Sequence, residues 1–307
     1  MKKTKFVTSY YMDITELTNG KWIGSAASRK RRYLSSLIYH CKNFPSYDVV
    51  CYTHQSSLSE LETIKTDYNL INFIIKIKEL DEIKYTNKIN TVVSNNPDYM
   101  EKFNLPGRPP QVMWGKFDIM REESSDDYEY VYWIDAGLQA LQLLPLRYNP
   151  HINEPDIWTS FDKQGNFSPI FNENIFNKLS EKTSGKFVTL LSTQIQDIYY
   201  NLNDNSPKPG NYPIAGFFGG KPEIVIEYCN YFDNAVDIFI DNNILCFEQT
   251  IMKYVTDIFP EEKLSIQSFD THATGLNEKE FHYDEWDNTK NLPKPIWRIW
   301  EELKEQL

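Results

Sequence analysis

Tyr130-Val131-Tyr132-Trp133-Ile134-Asp135-Ala136-Gly137 is an unbroken apolar and aromatic run stopped by a carboxylate and then a glycine. A strand with one face in water alternates apolar and polar residues, whereas a strand covered on both faces is apolar throughout. The run therefore reads as a central strand of a sheet sandwiched between helices. Its terminal Asp135 then lies at the carboxyl end of the sheet, where open α/β sheets bind ligands.

The flanking sequence agrees. Residues 111–121 place Val112, Met113, Phe117, Ile119 and Met120 at helix-like spacing, and the acidic stretch 122–127 ends that helix. Residues 6–11 read as a first strand that breaks at Asp13. A helix follows, capped by Ser28 and carrying Tyr33, Leu34, Leu37, Ile38 and Cys41 on one side. Residues 48–53 and 72–77 read as two further strands, with a weak helix over 58–68 between them. This βαβαβ order predicts a mostly parallel sheet with crossover helices. Downstream, 145–155 reads as a loop, 156–161 as a strand, 165–184 as a polar, Asn-rich stretch and 207–213 as another loop. Residues 215–220 form a glycine-rich corner before an apolar helix over about 222–236, and a second helix begins near Phe247. There is no internal repeat and no long linker, so a single α/β domain is expected.

Composition narrows the function. A chain of 307 residues can bury about three quarters of its unfolded surface. The 41% hydrophobic and 24% charged content is that of a globular protein, and 15% aromatic is high. Aromatic rings fill cores, and they also suit clefts that hold the apolar C–H faces of sugars. A net charge of −11 disfavours nucleic acid as a partner. Contact with anionic membrane is limited to a peripheral patch such as Arg29, Lys30, Arg31 and Arg32, while Ile296, Ile299, Trp300, Leu303 and Leu307 form a stripe expected to pack on the domain. Cys41, Cys51, Cys229 and Cys246 have no paired spacing, and the N-terminus lacks a signal-peptide apolar run. Reduced thiols in a cytoplasmic, soluble protein are the expectation.

Several side chains could carry chemistry. Asp135 ends the central strand, and Gly137 lets a bulky ligand approach the backbone. Asp and Gly are also common turn residues, so the tripeptide alone reads first as the cap of a turn, and the features around it shift the weight. Lys116 lies on the preceding helix, close enough in sequence to reach the same crevice and meet a phosphate. The glycines around Phe217 and Phe218 permit close backbone approach, or simply make a corner. Glu248 and Gln249 stand at a helix start, where an acidic side chain gains from the dipole. His40, His54, His151 and His282 pair with no nucleophile motif, and no phosphate-binding glycine loop is present.

Taken in order, these features resemble GT-A glycosyltransferases, a Rossmann-like fold. Val7-Thr8-Ser9-Tyr10-Tyr11, Tyr132-Trp133-Ile134-Asp135-Ala136-Gly137 and Gly216-Phe217-Phe218-Gly219-Gly220 look most like the HtrL/YibB-like bacterial family, over about residues 4–260. The resemblance implies a nucleotide-binding half over about 1–140, an acceptor and catalytic half over about 141–270, and a C-terminal extension over 271–307. It implies Thr8, Ser9, Tyr10 and Tyr11 beside the nucleotide base, and Lys116 on the diphosphate or donor sugar. Asp135, Ala136, Gly137, Gly219 and Gly220 would line the donor site, with Asp135 a ligand to Mn²⁺ or Mg²⁺. Glu248-Gln249-Thr250-Ile251-Met252 is similar to the catalytic stretch of retaining galactosyl- and glucosyltransferases. His272-Ala273-Thr274-Gly275 is similar to their late metal-binding motif, which makes His272 the second ligand. Two departures stand out. Gly137 replaces the second Asp of Asp-x-Asp, and the Lys-Pro-Trp expected after the His is out of register.

The implied activity is metal-dependent transfer of a hexose from a nucleotide-sugar, a UDP-sugar by preference, to a glycan or related acceptor. Two other classes compete. A sugar nucleotidyltransferase would carry a basic glycine-rich loop after the first strand, where residues 13–24 have two glycines and one lysine. A transferase-like domain without a metal would bind glycans or proteins only, and Gly137 keeps that reading open.

Overall fold

The computed structural model describes residues 3–11, 26–95, 110–136, 173–183, 185–192, 212–246 and 248–269. In chain order these give β1 (Lys3–Tyr10), α1 (Ala26–Asn43), β2 (Asp48–Thr53), α2 (Leu58–Asp67), β3 (Phe73–Ile77), α3 (Thr86–Asn95), α4 (Pro110–Glu123) and β4 (Tyr128–Ile134). There follow α5 (Glu173–Lys182), β5 (Phe187–Ser192), β6 (Tyr212–Gly220), α6 (Pro222–Asp241), α7 (Glu248–Ile258) and β7 (Leu264–Phe269).

The strands form one sheet in the order β3-β2-β1-β4-β6-β5-β7. β1 runs parallel to β2 and β4, β2 to β3, and β5 to β7. β6 alone runs against both of its neighbours, β4 and β5. The fold is thus a mostly parallel α/β sheet flanked by helices, as the central run predicts.

Period-two alternation over Val131–Ile134 of β4, all four buried, explains why that stretch is apolar on both faces. Val131 and Trp133 enter one core with Trp114, Phe117, Phe218 and Phe232, beneath α3, α4, α6 and α7. Tyr132 and Ile134 enter the other with Phe6, Phe44, Phe176 and Phe217, beneath α1, α2 and α5. Much of the high ring content is spent on these layers. Phe117 stacks on Phe218 at 4.8 Å and on Phe232 at 3.6 Å between centroids, and Tyr132 stacks on Phe217 at 5.6 Å.

The glycine-rich corner expected at 215–220 is instead the body of β6. Glycine has low strand propensity and hides the strand from a sequence reading. Its reason lies in the neighbours. At Gly219, φ is +151°, and an added Cβ would stand 2.3 Å from Val131 O and 2.6 Å from Tyr132 Cα. β5, β7, α3 and α5 had no expectation in the sequence. In α5 the inward residues among those with described side chains are few, Phe176, Leu179 and Ser180, too narrow a stripe to emerge from an Asn-rich stretch. The strand expected at 156–161 lies outside the described residues. No described helix is long and apolar enough to cross a membrane.

Candidate active site

β1 and β4 are adjacent, yet the chain leaves β1 toward β2 on the other side, so the strand order reverses between them. The crevice outside the carboxyl ends of two such strands is where open α/β sheets take ligands. Tyr10 and Tyr11 end β1 on one side of it, and Asp135 and Ala136 follow β4 on the other.

Asp135 follows Trp133 by two residues, so both side chains lie on the α4 and α7 face of the sheet. Trp133 Nε1 donates to Asp135 Oδ1 at 2.7 Å, and the Asp135 backbone N–H donates to Gly216 O at 2.8 Å. The strand-end carboxylate is therefore fixed by its own strand and by β6. Its side chain keeps 37% exposure.

Lys116 reaches the same point from α4. Its Nζ lies 3.0 Å from Asp135 Oδ1, 2.8 Å from Glu248 Oε1 and 3.1 Å from the Ala215 carbonyl, and 5.6 Å above the Trp133 ring. An ammonium has three N–H donors, and three oxygens surround this one. Burial alone would lower the Lys116 pKa, but the charges of Asp135 and Glu248 outweigh it and hold the group above the usual lysine value. α7 is set in place by the same helix, since Trp114 Nε1 donates to Cys246 O at 2.9 Å, just before Glu248 opens α7. Glu248 is 4% exposed and Gln249 beside it is half-buried. The first turn of a helix favours the carboxylate.

The other predicted residues fall in different places. Thr8 and Tyr10 are buried in the core on the α1 and α2 face, with the Tyr10 hydroxyl donating to Glu60 at 2.9 Å. Tyr11 is buried at the crevice end of β1, its hydroxyl donating to Lys78 O at 2.9 Å, and burial pushes its pKa well up. Ser9 is partly exposed. Gly219 and Gly220 pair with Tyr132 and Val131, roughly 10–13 Å along the strand from Asp135. Because β6 is antiparallel, it is Ala215 and Gly216 that stand beside Asp135, and the two later glycines serve strand contact at the far end. Gly137 and His272 lie outside the described residues.

Two features were missed in the sequence. The tie from Trp133 to Asp135 was available in their i, i+2 spacing on one strand face. His40, on α1, had no local signal. It is fully buried under the opposite face, 3.4 Å from Ser36 Oγ, with its ring against the main-chain carbonyl of Asp135. Its Nδ1 has no well-formed hydrogen bond among the described residues. Burial pushes its pKa down to about 3, only partly opposed by that carbonyl, so the ring is neutral. At the end of β2, His54 Nδ1 accepts from Ser56 N and its Nε2 meets Glu79.

Among the described residues, no three His, Cys, Asp or Glu side chains converge on a possible metal. Of the two described carboxylates that meet at Lys116, Asp135 is the partly exposed one. One carboxylate fits Mg²⁺ or Mn²⁺ when phosphate oxygens and waters complete the shell.

No family model and no curated protein sequence matches the chain. Among solved structures it is similar to core-mannan synthase A from Aspergillus fumigatus in its Mn/GDP form, with 8% identity, a TM-score of 0.46, and coverage of 87% of this chain and 73% of that one. It is similar to 4-diphosphocytidyl-2C-methyl-D-erythritol synthase from Anaerococcus prevotii at 8% identity and a TM-score of 0.42, over 92% of this chain and 95% of that one. A protein named as a glucose-1-phosphate thymidylyltransferase from Bacillus anthracis, in complex with sucrose, is similar at 9% identity and a TM-score of 0.39, over 94% and 98%.

Proposed function

We propose that the protein is a glycosyltransferase of GT-A type, resembling the HtrL/YibB-like family, which moves a hexose from a UDP-sugar to a glycan acceptor. The observation that carries this reading is the placement of Asp135. A half-exposed carboxylate at the carboxyl end of the central strand, beside the reversal in strand order, is where a nucleotide diphosphate and its cation would sit.

Asp135, whose Oδ1 meets Trp133 Nε1 and Lys116 Nζ and whose side chain stays 37% exposed, would hold the cation. A bound Mn²⁺ or Mg²⁺ supplies Lewis-acid stabilisation of the leaving diphosphate. Glu248 supplies a negative charge whose position is set by Lys116. A carboxylate so held would stabilise positive charge developing on the sugar. His272 completes the proposed set as second metal ligand. Cytoplasmic location and purely peripheral contact with membranes belong to the same proposal.

Titration calorimetry with UDP, with and without Mn²⁺, tests the reading. Metal-dependent binding by the parent protein, lost in Asp135→Asn while the thermal midpoint is kept, is the expected result. No uridine nucleotide binding under either condition would overturn it.

A further inference from the structure

Lys116, Asp135 and Glu248 bring two negative charges and one positive charge together inside the protein, and the ammonium stands where the two carboxylates converge. That is the place a cation takes between two acidic ligands. The two contacts are unequal. The Glu248 side chain is 5% exposed and stays sealed against the lysine, whereas the Asp135 side chain is 37% exposed and faces the crevice. The Asp135 contact is the one that water or an entering ion can replace.

We propose that Lys116 is a built-in competitor of the divalent cation for Asp135, and that it couples entry of the metal to entry of the phosphate. The inference rests on the reading of Asp135 as the metal carboxylate. A metal ion arriving alone meets an oxygen already engaged and an ammonium 3.0 Å behind it, which repels it. Phosphate oxygens entering with the ion add the negative charge that tips the balance. Lys116 keeps Glu248 and the Ala215 carbonyl throughout, so the lysine does not have to leave its burial to give up Asp135.

The test is Mn²⁺ binding to the nucleotide-free protein, read from the electron paramagnetic resonance signal of the free ion. Lys116→Met should bind Mn²⁺ at least about tenfold more tightly than the parent, because a unit charge close to the site is gone. Adding Asp135→Asn should abolish that gain. Lys78→Met removes a lysine paired with Asp118 and Glu122 in a separate cluster, and should leave Mn²⁺ affinity near the parent value. Glu248→Gln leaves Asp135 as the sole carboxylate on the ammonium and should weaken Mn²⁺ binding severalfold. Unchanged or weaker binding in Lys116→Met, or an equal gain in Lys78→Met, overturns the proposal. If circular dichroism shows Lys116→Met unfolded, the near-isosteric Glu248→Gln decides alone, and parent-like or tighter binding there overturns it. Uridine nucleotide is absent from these measurements. Failure of nucleotide binding would sink the transferase reading and leave the competition standing.

Discussion

Gly219→Ala puts one methyl group into the contact between β6 and the central strand. The ideal Cβ lies 2.3 Å from Val131 O, 2.6 Å from Tyr132 Cα and 2.8 Å from Tyr132 Cδ1, so it is about 1 Å inside ordinary contact with backbone atoms. Those atoms belong to a strand buried on both faces and cannot withdraw. Overpacking of this kind costs about 1–3 kcal/mol. The φ of +151°, which a side chain rarely adopts, adds about 1–3 kcal/mol. The expected loss is therefore about 2–6 kcal/mol, a large part of the roughly 5–15 kcal/mol that stabilises a domain. Gly115→Ala is the matched control. Its Cβ would be 3.1 Å from Ile83 Cδ1 and Cγ2, side-chain methyls that need yield only a few tenths of an ångström, and removing a helical glycine gains about 0.5–1 kcal/mol. Urea unfolding followed by tryptophan fluorescence reads both variants, since Trp114 and Trp133 are buried. The reasoning is refuted if Gly219→Ala lies within about 1 kcal/mol of the parent, or if Gly115→Ala costs as much.

Two further outcomes follow from the site. Glu248→Gln should keep the fold, because the amide oxygen can still accept from Lys116, while sugar transfer at saturating substrates falls by about 10²–10⁴-fold; a rate within a few-fold of the parent would remove Glu248 from the catalytic machinery. His40 is neutral when folded, with a pKa of about 3, and takes a proton near pH 6.5 when unfolded. Its contribution is whole above pH 6.5 and is lost as pH falls toward 3. Between pH 6 and 5 the parent should therefore lose about 1.2 kcal/mol more stability than His40→Leu, and parallel urea-derived profiles would contradict this.

The central strand was legible because burial on two faces leaves an all-apolar signature, and Asp135 was legible because a polar residue must end such a run. Lys116 was placed near Asp135 on proximity in sequence, and the structure puts it there by ion pairing. What the sequence could not show is the partner at Glu248, since nothing local announces a contact across 132 positions. β6 was hidden by the glycines that let it pack, since a strand chosen for absent side chains carries no alternation. His40 carried no sign of its place in the local sequence, and its total burial makes it a neutral group under the site.

The links made by Lys116 also bear on how the chain folds. They span 99 residues to Ala215 and 132 to Glu248, so the loops they close are long and close late. A ribosome-bound chain that has released only as far as Asp135 holds the lysine and one carboxylate, with neither the carbonyl nor the glutamate that complete their arrangement. The charge cluster around Lys116 therefore comes into being only when α7 docks, and it is not assembled in any shorter intermediate.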